Sequence, residues 1–454
     1  MNEINSSAIA VVDRRRNWNL SGRHQWINTW LTATGEPLRS VVTLATQAVR
    51  DWEVTSGERK NRRRAIDEAN FERLIEGLIA NLAYAVLMPP PTGLLCRTTG
   101  SKTISRYESR AFGPKPQRNA IRALDSLGWL ESGWVGGRGE ASVFRPGNKL
   151  AALVREKSVG LGDFGRDSEQ EVVILSSNAE SRDGLRKKKT LLPYDDNATT
   201  RRYRQAVRSI NSYTEQANIT FIDDGAEPAV DPYDRRLTRR FGMPSDREEA
   251  LPRFDMVGRL AGGFWMSLKR ARRDNIRIDG EPVATLDYSS MFTRLAFAEL
   301  GEPQPTGDVY AIPGAERYRD GVKAVMNCFL FDQHSRRSKW PAEFIVGGDV
   351  NAKQSEDEKR LPEGWTVAKA RAAIRAVHPA LPSAWGRGLG LHLMFKESEI
   401  LVAVLTELMR RGVAALGLHD GLLVAASKAE EAKQVMQAQS KAVVGAELPV
   451  SLKV

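Results

Sequence analysis

Two apolar runs joined through a single acidic turn constrain this chain more than any other stretch. Ala414-Ala415-Leu416-Gly417-Leu418 and Leu422-Leu423-Val424-Ala425-Ala426 flank His419-Asp420-Gly421. Apolar runs that meet at so short a polar turn fold back on each other as an antiparallel hairpin. Upstream, Ile276-Arg277-Ile278-Asp279-Gly280-Glu281-Pro282 reads as a second hairpin. It feeds the strand Val283-Ala284-Thr285-Leu286, which ends in Asp287. Just before the first hairpin, Ile400, Leu401, Val404, Leu405, Leu408 and Met409 make one apolar helical face that stops near Gly412. The predicted fold class is therefore α+β, an antiparallel sheet with helices, presenting one carboxylate at each of two strand ends.

That placement has a chemistry. Two-metal phosphoryl transfer needs carboxylates from separate strands, with the ions roughly 4 Å apart, to serve the attacking oxygen and the departing pyrophosphate. An isolated turn aspartate is ordinarily only a turn residue, so the pair and its order carry the inference. Between the two lies a helix, Arg319 to Phe331, on which Arg319, Lys323, Asn327 and Phe331 recur every fourth residue and share a face. Two cations, an amide and an aromatic ring suit a nucleoside triphosphate. The same stripe also fits a surface helix with an ordinary basic edge.

Length and charge set the frame. At 454 residues, two or three domains are expected. Sixty-seven Lys and Arg against 56 Asp and Glu leave a net charge of +11, which suits a polyanionic partner such as nucleic acid. Cys96 and Cys328 lie too far apart for a disulfide framework or a zinc motif, and a reducing compartment fits them. The N-terminus lacks the basic start and apolar core of a signal peptide, and no apolar run reaches the ~18–20 residues that span a bilayer. A cytoplasmic protein without a membrane segment, and a monomer, is the expectation.

Residues 1–69 read as a basic N-terminal arm or partly helical lead-in, ending in Lys60-Asn61-Arg62-Arg63-Arg64. Residues 70–150 read as a winged-helix-like domain. Phe71, Leu74, Ile75, Leu78, Ile79 and Leu82 mark an amphipathic helix, and Ile121, Leu124 and Leu127 a second one stopped by Gly128. A hairpin with a turn at Gly136-Gly137-Arg138-Gly139 follows. Lys115, Gln117, Arg118 and Arg122 would then lie on a recognition helix and Arg138 at the wing tip, as nucleic-acid contacts. A small helical-hairpin domain for protein contacts is the other reading. Residues 151–250 read as linker and thumb-like region, with a basic helix around Arg201, Arg202, Arg204 and Arg208. Residues 251–454 hold the catalytic candidates.

The motifs resemble those of the family A DNA polymerases. Asp287-Tyr288-Ser289 with Arg294 is similar to their motif A, Arg319-x3-Lys323-x7-Phe331 to motif B of the fingers, and His419-Asp420 to motif C. The tail Leu448 to Val454 resembles the closing palm strand, and the resemblance covers about 250–454. Small polymerases of phages and mobile elements are the nearest kind, given Gly258-Arg259-Leu260-Ala261-Gly262-Gly263-Phe264-Trp265 before motif A. The resemblance implies a right-hand palm with short fingers. It implies Asp287, Asp420 and the Tyr288 carbonyl as ligands of two magnesium ions, with manganese a substitute, and Arg319 and Lys323 on the triphosphate. Phe331 would lie beside the incoming base, Asn327 on the same nucleotide-facing stripe, and Phe292 at the sugar. Arg294 would be a structural or primer-side contact, and His419 a contact near the primer terminus.

Three positions depart from the pattern. Phe292 stands where motif A has glutamate, Gly421 where motif C has glutamate, and Asp332 where glycine follows the motif B aromatic. Nothing in the first 250 residues reads as a proofreading exonuclease. The implied activity is primer-dependent DNA synthesis from dNTPs on a primer-template. A single-subunit RNA polymerase or primase-like enzyme is the first alternative, and Tyr288 after the aspartate favours the DNA side. A non-catalytic winged-helix replication protein is the second. The joint presence of Asp287, Asp420, Arg319 and Lys323 argues against that second alternative.

Overall fold

The computed structural model describes residues 24–98, 105–134, 141–178, 190–244, 252–333, 337–347 and 359–453. Arg138 and the Arg186–Lys189 run lie outside them. The chain divides into two compact units, Met1–Glu171 and Val172–Val454. The fold is mixed α+β.

In the first unit the elements run β1 (Gln25–Trp26), β2 (Leu31–Ala33), α1 (Glu36–Thr55), α2 (Ala65–Leu87), β3 (Leu95–Arg97), α3 (Pro114–Ser126), β4 (Leu130–Trp134), β5 (Ser142–Pro146), α4 (Asn148–Glu156) and β6 (Phe164–Arg166). Helix α2 buries the whole stripe read from the sequence, Phe71 through Leu82. Helix α1 forms inside the segment expected as a lead-in, because Leu38, Val41, Ala45 and Val49 recur at helical spacing and all are buried. A four-stranded sheet runs in the order β1-β3-β5-β4, with β5 antiparallel to both neighbours and β1 parallel to β3.

The second unit begins with β7 (Val173–Asn178), α5 (Ala198–Gln216), β8 (Ile219–Phe221), β9 (Leu237–Pro244), β10 (Val257–Gly262), α6 (Phe264–Ser267), α7 (Arg270–Arg273), β11 (Ile276–Ile278), β12 (Glu281–Tyr288) and α8 (Met291–Glu299). It continues with α9 (Arg319–Phe331), β13 (Phe344–Val346), β14 (Lys359–Leu361), α10 (Val367–Val377), α11 (Gly390–Arg410), β15 (Ala415–Gly417), β16 (Gly421–Ala425), α12 (Ala429–Val444) and β17 (Val450–Lys453). The principal sheet is ordered β15-β16-β12-β11-β8, with β17 pairing the end of β12. The β15–β16 and β11–β12 pairs are the two antiparallel hairpins expected from the apolar runs.

Period-two alternation sorts the sheet's side chains between two cores. Leu286, Tyr288, Leu422 and Val424 join the core built with α8 to α12, including Leu295, Met326, Leu393 and Met436. Leu423, Ala425, Ile276 and Ile278 join a second core with Trp265, Val207 and Leu401. Asp287 therefore points away from the first core and lies at the open end of β12. The Trp265 indole N–H fixes that end by donating to the Gly417 carbonyl at 2.8 Å.

Candidate active site

Backbone register brings the two aspartates together. Strand β12 pairs antiparallel with β16 so that Asp287 faces Gly421, and the Tyr288 amide donates to the Asp420 carbonyl at 2.8 Å. On its other edge Asp287 faces Ser451 of β17. Both carboxylates thus belong to adjacent strand ends and reach solvent, Asp420 the more openly.

Gly421 is what gives the Asp287 carboxylate its place. A Cβ there would come within 2.2 Å of both Asp287 Oδ1 and the Leu286 carbonyl oxygen. The space a side chain would fill holds the Asp287 carboxylate instead. This gives the departure at 421 a physical cause: no glutamate fits on this hairpin without displacing Asp287.

Cations gather beside Asp287. Lys453 Nζ bonds Asp287 Oδ2 at 2.8 Å. Arg273, whose Nε donates to the Trp265 carbonyl, lies within the electrostatic reach of Asp287. Arg259 Nε donates to Glu397 Oε2 at 2.6 Å, and its guanidinium sits 5.6 Å from the centre of the Phe292 ring. Glu397 is 1% exposed, and burial raises its pKa to about 7, against the pull of Arg259 and with a contribution from Asp420. His419 is held below its ordinary pKa by lost hydration and by Arg259 and Arg273, despite the opposing Asp420. That direction favours the neutral imidazole.

The motif A and motif B candidates meet through their aromatic rings. Phe292 of α8 and Phe331 of α9 pack edge to face at 5.6 Å, and Phe331 lies flat against Gly390, where a Cβ would stand 2.3 Å from the ring. On α9, Arg319, Lys323 and Phe331 face outward and Asn327 is half-buried, as the four-residue spacing predicts. The Asn327 side-chain oxygen is buried without a hydrogen bond. Arg319 is not free: it forms a bidentate pair with Asp308, at 2.6 and 3.0 Å, and lies over the Tyr310 ring.

Other sequence candidates land elsewhere. Arg294 is 5% exposed and donates to the carbonyls of Pro305 and Gly307, so it braces the loop after α8. The Tyr288 ring is buried, with its hydroxyl donating to the Met436 carbonyl at 2.6 Å. In the first unit Arg118 and Arg122 are exposed on α3, where Arg122 pairs with Glu58 at 2.9 Å. Gln117 on the same helix is fully buried, accepting from Arg97 and donating to the Thr98 carbonyl, so it reads no base.

Sequence reasoning passed over Arg259, Arg273, Glu397 and Lys453. Glu397 left a signal: Leu393, Glu397, Ile400 and Val404 follow core spacing on α11, which puts an acid in an apolar stripe. Among the described residues no cluster of three or more His, Cys, Asp or Glu side chains forms a metal site. Two strand-end carboxylates and a carbonyl are hard oxygen donors that suit magnesium, which commonly takes one or two carboxylates and completes its shell with water and substrate phosphate.

No family model matches the chain, and no curated protein does. Among solved structures, it is similar to the POL domain of Pol1 from M. smegmatis in complex with DNA primer-template and dNTP. That similarity is 11% identity at a TM-score of 0.25, over 94% of this chain. The chain spans 66% of that structure's length. At that score the likeness carries no weight for fold or function. No described helix is long and apolar enough to cross a membrane.

Proposed function

We propose that the second unit is a nucleotidyltransferase, a template-directed DNA polymerase with a palm formed by β12, β15, β16 and β17 and short fingers around α9. The observation that carries this reading is the register that seats Asp287 opposite Gly421, with the Asp420 carbonyl accepting from the Tyr288 amide. Asp287, Asp420 and the Tyr288 carbonyl would hold magnesium, or manganese in its place. Bound there, the ions would neutralise charge at the attacking and leaving oxygens.

This chain's own groups do the rest. Lys323 and Arg319 on the open face of α9 meet the triphosphate, Arg319 after exchanging Asp308 for a phosphate partner. Phe331 and Phe292 form one aromatic wall for the base and sugar of the incoming nucleotide. Arg259, clamped by Glu397 and resting over Phe292, sets the position of that wall. Neutral His419 offers a hydrogen bond beside Asp420 without adding a second charge to a site already rich in cations.

The first unit is proposed as a winged-helix nucleic-acid module. Helix α2, strand β3, helix α3 and the β4–β5 hairpin follow in the right order, and the sheet order β3-β5-β4 is the one that arrangement requires. Arg118 and Arg122 on α3 would contact the duplex, with Arg138 in the connection between β4 and β5. No proofreading activity is proposed.

The test is extension of a labelled primer-template with magnesium and dNTPs, repeated with NTPs and without primer. Extension that requires primer and dNTPs supports a DNA polymerase. Synthesis without primer, or from NTPs, would move the assignment to a primase or RNA polymerase. No synthesis under any of these conditions would leave only the binding role.

A further inference from the structure

We propose that the first unit contains a pocket for the phosphate of a nucleotide, lined by Arg62, Arg110 and Lys115. A cavity of about 470 Å³ opens between the segment before α2, the first turns of α2 and the start of α3. That size lies in the roughly 300–1,000 Å³ range of pockets that take small ligands.

Its charge is unbalanced in a particular way. The acids on its wall are already neutralised: Glu53 by Arg59 and Arg63, at 3.1 and 2.6 Å, and Asp67 by Arg64 at 3.0 Å. Arg62, Arg110 and Lys115 remain exposed, and none of the three pairs with an acid among the described residues. Three unmatched cations facing one cavity repel each other and are relieved by an anion. Two guanidinium forks and an ammonium suit the tetrahedral oxygens of a phosphate.

The rest of the lining suits the remainder of a nucleotide. Asn70 and Asn119 offer amides that both donate and accept. Phe71 closes the back of the cavity, its buried ring covered by the Arg63 guanidinium at 3.6 Å from the ring centre. The start of α3 is not itself the anion site. Pro114 and Pro116 remove two of its first amides, so the side-chain cations have to supply the charge.

The site lies in a different unit from Asp287 and Asp420 and does not rest on the catalytic reading. A strand end, a backbone phosphodiester and a free nucleotide share this chemistry, and binding measurements separate them. The full chain is titrated against labelled single-stranded DNA with a 5′-phosphate or a 5′-hydroxyl, with dNMP and inorganic phosphate as competitors. The variant R62A/R110A/K115A is compared with R155A/R375A/K441A, which removes the same charge from exposed positions elsewhere.

The pocket variant should lose about tenfold in affinity or more and the control less than about threefold, with a shallower salt dependence for the pocket variant. Loss confined to the 5′-phosphorylated strand assigns a strand end. Equal loss on both strands assigns the backbone, and loss of dNMP competition assigns a free nucleotide. If the triple variant melts early, Lys115→Glu alone should weaken binding in the same direction. A pocket variant no weaker than the control, or a poly-glutamate peptide bound as tightly as DNA, would overturn the proposal.

Discussion

The strand-borne and helix-borne halves of the candidate site are fixed by different means. Asp287 and Asp420 are placed by backbone: register, the Tyr288 amide and the absent side chain of Gly421 set where their main chains lie. Arg319 and Lys323 are placed only by helical spacing, and their side chains answer to whatever charge is nearby. Arg319 turns to Asp308, and Lys323 stays in solvent. On the proposed reading, the sheet would hold its carboxylates in place before substrate arrives, whereas the helix would complete its arrangement only when a triphosphate displaced Asp308 from Arg319.

That contrast breaks first at the carboxylates. Asp287→Ala or Asp420→Ala should abolish nucleotide incorporation, a loss of a thousandfold or more, while DNA affinity stays near wild type because other cations supply it. Gly421→Ala should behave similarly, since its methyl would occupy the space of Asp287 Oδ1. Extension assays beside anisotropy titrations check this. If either aspartate variant keeps more than a few per cent of wild-type extension, the assignment fails.

The next effect concerns Glu397, which belongs to neither half and clamps Arg259. Its folded pKa of about 7 lies above the ordinary 4.5, so the native state holds the proton more tightly than the unfolded chain does. Its contribution to stability is thus complete below pH 4.5 and is lost as pH rises through 7. The shift corresponds to roughly 3 kcal/mol at most. Denaturant unfolding at pH 5 and pH 8 should show this slope in the wild type and a flatter one in Glu397→Gln. Equal slopes in the two proteins would show that Arg259 already cancels the burial cost.

What could be read from the sequence follows the same division. The hairpins that carry Asp287 and Asp420 and the apolar stripe of α2 were visible because period-two and period-3.6 patterns are imposed by the backbone itself. Arg259, Arg273 and Lys453 were not, because strand pairing and packing rather than local spacing bring them to the site, and Glu397 showed only as an acid in an apolar stripe. Gln117 shows the reverse error. Its position on a basic helix predicted an outward role, but Arg97 draws it into the interior. Gly421 looked like a missing glutamate until the approach of Asp287 explained it.

Phe292 tests whether the aromatic wall acts on substrate or only on protein. Its ring contacts Phe331 and Arg259, so it is partly a packing residue. If it also crowds the sugar, Phe292→Ala should raise use of NTPs relative to dNTPs by about tenfold, roughly 1.4 kcal/mol of discrimination. Competition assays at equal NTP and dNTP concentrations measure this. Unchanged selectivity in an active variant confines Phe292 to packing.

The smallest effect sharpens the comparison most, because it asks whether the strand-held site also has a resident partner to displace. Lys453, from the last strand of the sheet, pairs with Asp287 at 2.8 Å while its side chain remains 45% exposed. An ammonium there neutralises the carboxylate as a divalent ion would, and the two compete for the same oxygen. An exposed pair of this kind is weak and screened by salt, so it should delay the ion rather than exclude it. Lys453→Gln should therefore lower the magnesium concentration needed for half-maximal extension by about twofold to threefold, with little change in the maximal rate. Direct magnesium or manganese titration, followed by calorimetry, should show the same shift without any reaction. If metal affinity is unchanged but the maximal rate falls, Lys453 touches the reacting phosphates rather than guarding the site, and it would join Arg319 and Lys323 as a substrate contact.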